Sequence, residues 1–123
     1  MRSGIAARWR SVGHAVRGLR LLLRQEPNAR VHADATVLVM VAGVTARLTI
    51  GEWRWLVVAA VLVWSAEAMN TAIECVCDRV SPAHDPLIGA AKDVAAGAVL
   101  VAAAGAAILG ATVFLPHLPG VWR

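Results

Sequence analysis

Apolar and polar positions are patterned on two length scales along this chain, and each scale predicts a different kind of element. Between Ile5 and Arg24 the apolar residues Ile5, Trp9, Val12, Val16, Leu19 and Leu23 recur every three or four positions, while Arg8, Arg10, Arg17, Arg20 and Arg24 take other directions. That period predicts one amphipathic helix over about 5–25, suited to lie in a headgroup layer. Gln25-Glu26-Pro27-Asn28 ends it, because proline cannot continue the hydrogen-bonded turn and disfavours helix in the residue before it. Glu26 is therefore expected at a corner beside a membrane surface. Farther on, near-continuous apolar stretches at about 33–50, 55–73 and 94–115 approach the ~20 residues needed to cross a bilayer. The first is the weakest, since Asp34 and Arg47 sit near its ends.

The connections follow from the same pattern. Trp53 and Trp55 frame a very short outer turn at Gly51–Arg54 as interfacial aromatics, and Trp64, inside the second span, is expected to pack on a neighbouring helix. Ser81-Pro82-Ala83-His84-Asp85-Pro86 breaks the helix, which restarts over Leu87–Lys92. The third span is rich in alanine and glycine, including Gly97, Gly105 and Gly110, which lets helix backbones approach closely in lipid. Three helices alone shelter intramembrane acids poorly, so oligomerisation is expected.

Composition strengthens the membrane reading. With 59% hydrophobic residues in 123 and a mean hydropathy of +0.63, the chain carries more apolar surface than a soluble domain of this size could bury. The expectation is a single all-α membrane domain over 1–123, with no secretory signal ahead of it. Seven of the twelve basic residues precede the first span, which places the N-terminus in the cytoplasm, Cys75–Asp93 as a cytoplasmic connection and Pro116–Arg123 as an outer tail. The net charge of +4 then reflects arginines facing anionic headgroups, worth about 1 kcal/mol each, rather than nucleic acid. Cys75 and Cys77 are two apart and point to different sides of a helix, which argues against a disulfide or a metal pair.

Candidate chemistry concentrates in Glu67–Arg79. If this stretch continues the second span as one helix, Glu67, Asn70, Thr71, Glu74 and Asp78 share a face of about 100°. An ionised side chain at the centre of a span costs roughly 2.5–3.5 kcal/mol on insertion scales, so Glu67 is a functional-site candidate by default. Lys92 and Asp93 stand opposite, at the start of the next helix. Walker, dinucleotide, protein-kinase, nucleophile-elbow and zinc motifs are all missing from the sequence. Carboxylates and amides at a membrane face suit Mg²⁺ and phosphoryl transfer, but equally a proton or ion pathway in a small transport subunit, or a structural polar seam.

The residues themselves resemble a known family. Glu67-x-x-Asn70-Thr71-Ala72-Ile73-Glu74-x-x-x-Asp78-Arg79 and Ala91-Lys92-Asp93-Val94-Ala95-Ala96-Gly97-Ala98-Val99-Leu100, with Gly18-Leu19 and Glu26-x-Asn28-x-Arg30-x-His32 upstream, are similar to the signature of the small prokaryotic membrane lipid kinases. These are the diacylglycerol kinase and undecaprenol kinase family. The resemblance covers about Gly13 to Phe114 and implies a homotrimer of three-span subunits, each with a surface helix, in the bacterial inner membrane. It implies active sites shared between subunits, Mg-ATP as donor and a membrane lipid alcohol, undecaprenol or diacylglycerol, as acceptor. Carried over by position, Glu67 matches the catalytic base and Glu26 and Glu74 the carboxylates holding the metal. Asn70 matches an amide near the base, and Lys92 and Asp93 a nucleotide-contacting pair. His14 and the loop Ala83-His84-Asp85 fall where other members contact ATP, with different side chains. Arg20 and Ala96 join Glu67 on the lipid side.

Overall fold

The computed structural model describes residues 2–81 and 85–118. They form α1 (Arg2–Gln25), α2 (Pro27–Thr45), α3 (Ile50–Val80) and α4 (Pro86–Phe114), followed by a 3₁₀ turn at Leu115–His117. No strand occurs among the described residues. Met1, the loop residues Pro82, Ala83 and His84, the side chains of Arg2, Ser3 and Ile5, and residues 119–123 lie outside the described set. Every helix is longer than its apolar stretch, because helix formation continues through polar residues until a backbone donor is lost or a cap forms.

The expected corner at Glu26 is present. Pro27 opens α2 at a position where its missing N–H would have no partner, and Glu26 alone separates the two helices, extended at φ −99° and ψ 115°. Leu22 and Ala29 on either side are buried. The stripe that defined the amphipathic pattern points away from the bundle: Trp9, Val12, Val16 and Leu19 are all exposed. Leu22, outside that stripe, docks the helix instead.

The turn between α2 and α3 falls at residues 46–49, and Gly51–Arg54 form the first turn of α3. This corrects the expected turn at Gly51–Arg54, and the cause is a reciprocal cap. The Thr49 hydroxyl accepts from the Glu52 N–H at 3.3 Å, and Glu52 Oε2 accepts from the Thr49 N–H at 2.7 Å. Arg47 adopts φ 55°, which lets the Arg47 and Leu48 N–H groups turn back onto the Val44 and Gly43 carbonyls.

At this end of the molecule Leu48, Leu56 and Val113 form a small core with Val39, Trp53 and Phe114 packed on it. The Trp53 ring lies against Gly43 so closely that a Cβ there would meet it at 2.7 Å. Gly43→Ala should therefore be destabilising: the gain in helix propensity is at most about 1 kcal/mol, against about 1–3 kcal/mol for overpacking. A lower midpoint for thermal unfolding in detergent is the expected result. His117 Nε2, 2.7 Å from Glu52 Oε1, clasps the ends of α3 and α4 beside this core.

α4 packs chiefly along α3, and α2 touches α3 less extensively. Two segments, Ile50–Val80 and Pro86–His117, are long and apolar enough to cross a membrane. α2 has 19 residues, but Arg30 and Asp34 occupy its first half and only the stretch 35–45 is a long run free of charge. Outward-facing Leu38, Val57, Leu62, Leu100 and Ile108 stand exposed on this chain. Apolar surface on that scale requires lipid or another chain to cover it.

Candidate active site

α2 turns one face to the rest of the bundle, at Ala29, His32, Thr36, Val39 and Gly43, which follow one another by three and four residues. All are buried or half-buried. Two of the five are polar, and both meet α3. Thr36 Oγ1 donates to the His32 carbonyl at 2.7 Å and accepts from Trp64 Nε1 at 3.1 Å. Trp64, expected only to pack, thus finds a hydrogen-bond partner that also sets where α2 crosses α3.

One turn beyond Trp64 lies Glu67, 1% exposed and the largest fully buried side chain in the described structure. Its Oε2 has no hydrogen-bond partner among the described residues, and the nearest cationic candidate, His32 Nε2, is 4.0 Å away. Burying a carboxyl group without such partners costs free energy in either protonation state, so the fold alone gives no reason for Glu67 to be there.

The polar face continues toward the end of α3. Asn70 is buried and its Nδ2 donates to Glu74 Oε1 at 3.1 Å, which leaves Asn70 Oδ1 and Thr71 Oγ1 without partners among the described residues. With Glu67 Oε2 they make three unsatisfied buried oxygens at i, i+3 and i+4, a row of acceptors facing one way. Among the described residues no three His, Cys, Asp or Glu side chains gather tightly enough to hold a metal ion unaided. That donor set does not fit a closed zinc site, which needs about four protein ligands. Mg²⁺ asks less of the protein, since it keeps several waters and takes one or two carboxylates plus substrate phosphates.

Lys92, on the first turns of α4, donates to Asp78 Oδ1 at 2.7 Å and so ties the ends of α3 and α4 beside this row. Asp85 caps α4, its Oδ1 accepting from the N–H groups of Leu87 and Ile88 at 2.8 and 3.3 Å. The other residues singled out from the sequence stand apart from the cluster. His14, exposed on α1, accepts from Arg17 Nη2 at 2.8 Å. Arg20 shares a shallow cationic depression on α1 with Arg17 and Arg24. Asp93 and Ala96 are exposed, and Ala83 and His84 lie outside the described residues. Cys75 is exposed and Cys77 is buried, and both are free thiols.

His32, which the sequence offers only as the end of the motif Glu26-x-Asn28-x-Arg30-x-His32 and with no role of its own, is the site residue that the structure adds. The signal was the three-and-four spacing from Ala29 to Gly43, which puts His32 on the inward face and Arg30 and Asp34 off it.

Comparison with known proteins bears on the same residues. A family model described as prokaryotic diacylglycerol kinase matches residues 13–114. The chain is similar to undecaprenol kinase of Bacillus subtilis, 41% identical over 110 residues that make up 89% of each protein. It is 36% identical over 109 residues to diacylglycerol kinase of a Synechocystis strain, 88% of this chain and 62% of that one. With diacylglycerol kinase of Escherichia coli K12 it shares 30% identity over 108 residues, 88% of each.

Proposed function

The chain belongs to the prokaryotic diacylglycerol kinase family, and from that premise we propose that it transfers the γ-phosphoryl group of ATP to the hydroxyl of a membrane lipid alcohol. The acceptor is undecaprenol or diacylglycerol, the two substrates named for its relatives. The observation that carries the reading is Glu67, a buried carboxyl group without a hydrogen-bond partner on Oε2, located where the apolar part of α3 gives way to its polar face. A base at that depth can act on a hydroxyl that never leaves the bilayer.

In the proposed reaction Glu67 Oε2 takes the proton as the lipid oxygen attacks the γ-phosphorus, and ADP leaves with the electrons of the broken P–O bond. His32, with Nε2 4.0 Å from Glu67 Oε2, is the basic side chain nearest to the base. Glu26 and Glu74 would hold Mg²⁺, with Asn70 fixing the Glu74 carboxylate. Bound there, the ion supplies charge neutralisation on the phosphates. Lys92 exchanges Asp78 for a phosphate oxygen as a point charge. Asp93, Asp85, His14 and the loop at Ala83 and His84 lie on the nucleotide side, and Arg20 and Ala96 beside the lipid. α1 lies on the cytoplasmic face with its exposed apolar stripe in the headgroup layer, α2, α3 and α4 span the membrane, and the subunits form a homotrimer.

The decisive experiment is purified protein in detergent with labelled ATP, Mg²⁺ and the two lipids side by side. Phosphate in the organic phase is the expected outcome, and ion flux through liposomes without ATP consumption would replace this reading with a transport one. Subunit mixing asks how the site is assembled. Inactive Glu67→Gln and Glu26→Gln subunits co-assembled in detergent should regain activity, because a site shared between subunits leaves some mixed trimers with both carboxylates intact. A mixture as dead as its parents would place the pair on one subunit.

A further inference from the structure

An apolar cleft of about 720 Å³ runs between α2, α3 and α4. That volume is in the range of cavities holding a single small-molecule ligand. One end is lined by His32 and Thr36, and His32 Nε2 lies 4.0 Å from the unpartnered Glu67 Oε2, so this end adjoins the candidate base. The other end reaches Trp53 and Phe114, which pack on the core of Leu48, Leu56 and Val113 and form a floor. Along α4 the wall is made of small residues, among them Ala107 and Gly110.

Length is the informative quantity. Trp53 precedes Glu67 by fourteen residues, about 21 Å of helix rise. Half the hydrocarbon thickness of a bilayer is only about 15 Å. With its hydroxyl at Glu67, near one face of the membrane, a lipid confined to one leaflet leaves the floor of the cleft empty. A tail that continues past the midplane fills it.

We infer that this cleft seats the acceptor's hydrocarbon tail, and that its depth selects a single long isoprenoid chain over the two shorter chains of a diacylglycerol. The inference rests on the lipid-kinase reading above. Selection operates through packing rather than hydrophobicity, since a tail leaving lipid for an apolar cleft exchanges one apolar surrounding for another. Packing differences in apolar pockets discriminate by about 10–200-fold, and the lower end applies to a flexible chain.

The test uses the full-length protein with Mg-ATP and three acceptors: an isoprenoid alcohol too short to reach the midplane, one long enough to cross it, and a diacylglycerol. Gly110→Leu adds a side chain in the far half of the cleft, where a Cβ meets no other group within 4 Å. Gly105→Leu makes the same change at a position that does not line the cleft and is equally open. The expected result is a wild-type preference for the long alcohol, and a fall of about tenfold in kcat/KM for that alcohol alone in Gly110→Leu. Gly105→Leu should leave all three acceptors unchanged. A uniform loss on all acceptors, no loss on any, or an altered oligomeric state in Gly110→Leu would overturn the inference, the last by assigning the cleft to a second copy of the chain. Wild-type protein that phosphorylates short and long alcohols equally well also overturns it, while leaving the kinase reading intact. If none of the acceptors is phosphorylated, both fail together. Should Gly110→Leu not fold, a long alcohol with a photoreactive group at its far end decides the matter in wild-type protein: it should label peptides holding Trp53 or Phe114, and labelling elsewhere overturns the assignment.

Discussion

Glu67→Gln should abolish lipid phosphorylation, leave ATP binding nearly unchanged, and produce a protein at least as stable as the wild type. The amide keeps the volume of the carboxylate and most of its hydrogen-bonding capacity, but it cannot accept the proton of the attacking hydroxyl. General-base catalysis typically contributes about 10²–10⁴ in rate, so turnover should fall into the background. The stability arm separates function from architecture. Glu67 is 1% exposed with Oε2 unpartnered, so its charge is a burden on the fold that the amide relieves. A structural glutamate would behave in the opposite way, with unfolding temperature and activity lost together. Retention of more than about a tenth of wild-type turnover, in a steady-state assay with saturating lipid, would remove Glu67 from the role of base.

Glu26→Gln and Glu74→Gln should each raise the Mg²⁺ concentration needed for half-maximal turnover, by on the order of 10–100-fold, the range seen even when only a supporting group of a metal site is lost. Glu26 lies at the corner between α1 and α2 and Glu74 on α3, forty-eight positions apart in the sequence. If they share one ion, the double variant should be little worse than either single one, because groups that act as a unit are not additive. Titration of Mg²⁺ against initial rate in the four proteins makes the comparison. Losses that multiply would assign the two carboxylates to separate tasks.

How much of this was legible in the residue order depended on whether the interaction was local. The helix start at Pro27 and the polar face Glu67–Asp78 follow from contacts within a few residues, and both were readable. The turn at residues 46–49 was equally local, since Thr49-x-x-Glu52 before an apolar run is a capping signal, but the flanking tryptophans drew attention to Gly51–Arg54 instead. The family could be recognised because its long charged motifs survive intact in the sequence.

Side-chain partners across helices were a different matter. His32 and Glu67 are thirty-five residues apart, and although the spacing from Ala29 to Gly43 puts His32 on the inward face of α2, nothing in the residue order says that this face meets Glu67. The pairing of Trp64 with Thr36, the docking of α1 through Leu22 rather than its apolar stripe, and the cleft that ends at Trp53 depend on the same thing: the rotation of each helix about its axis. Sequence sets the period of a helix and therefore which residues share a face. Which face meets which is settled only when side chains from three helices compete for the same space, and that packing decided how the acids legible in the sequence came together as one site.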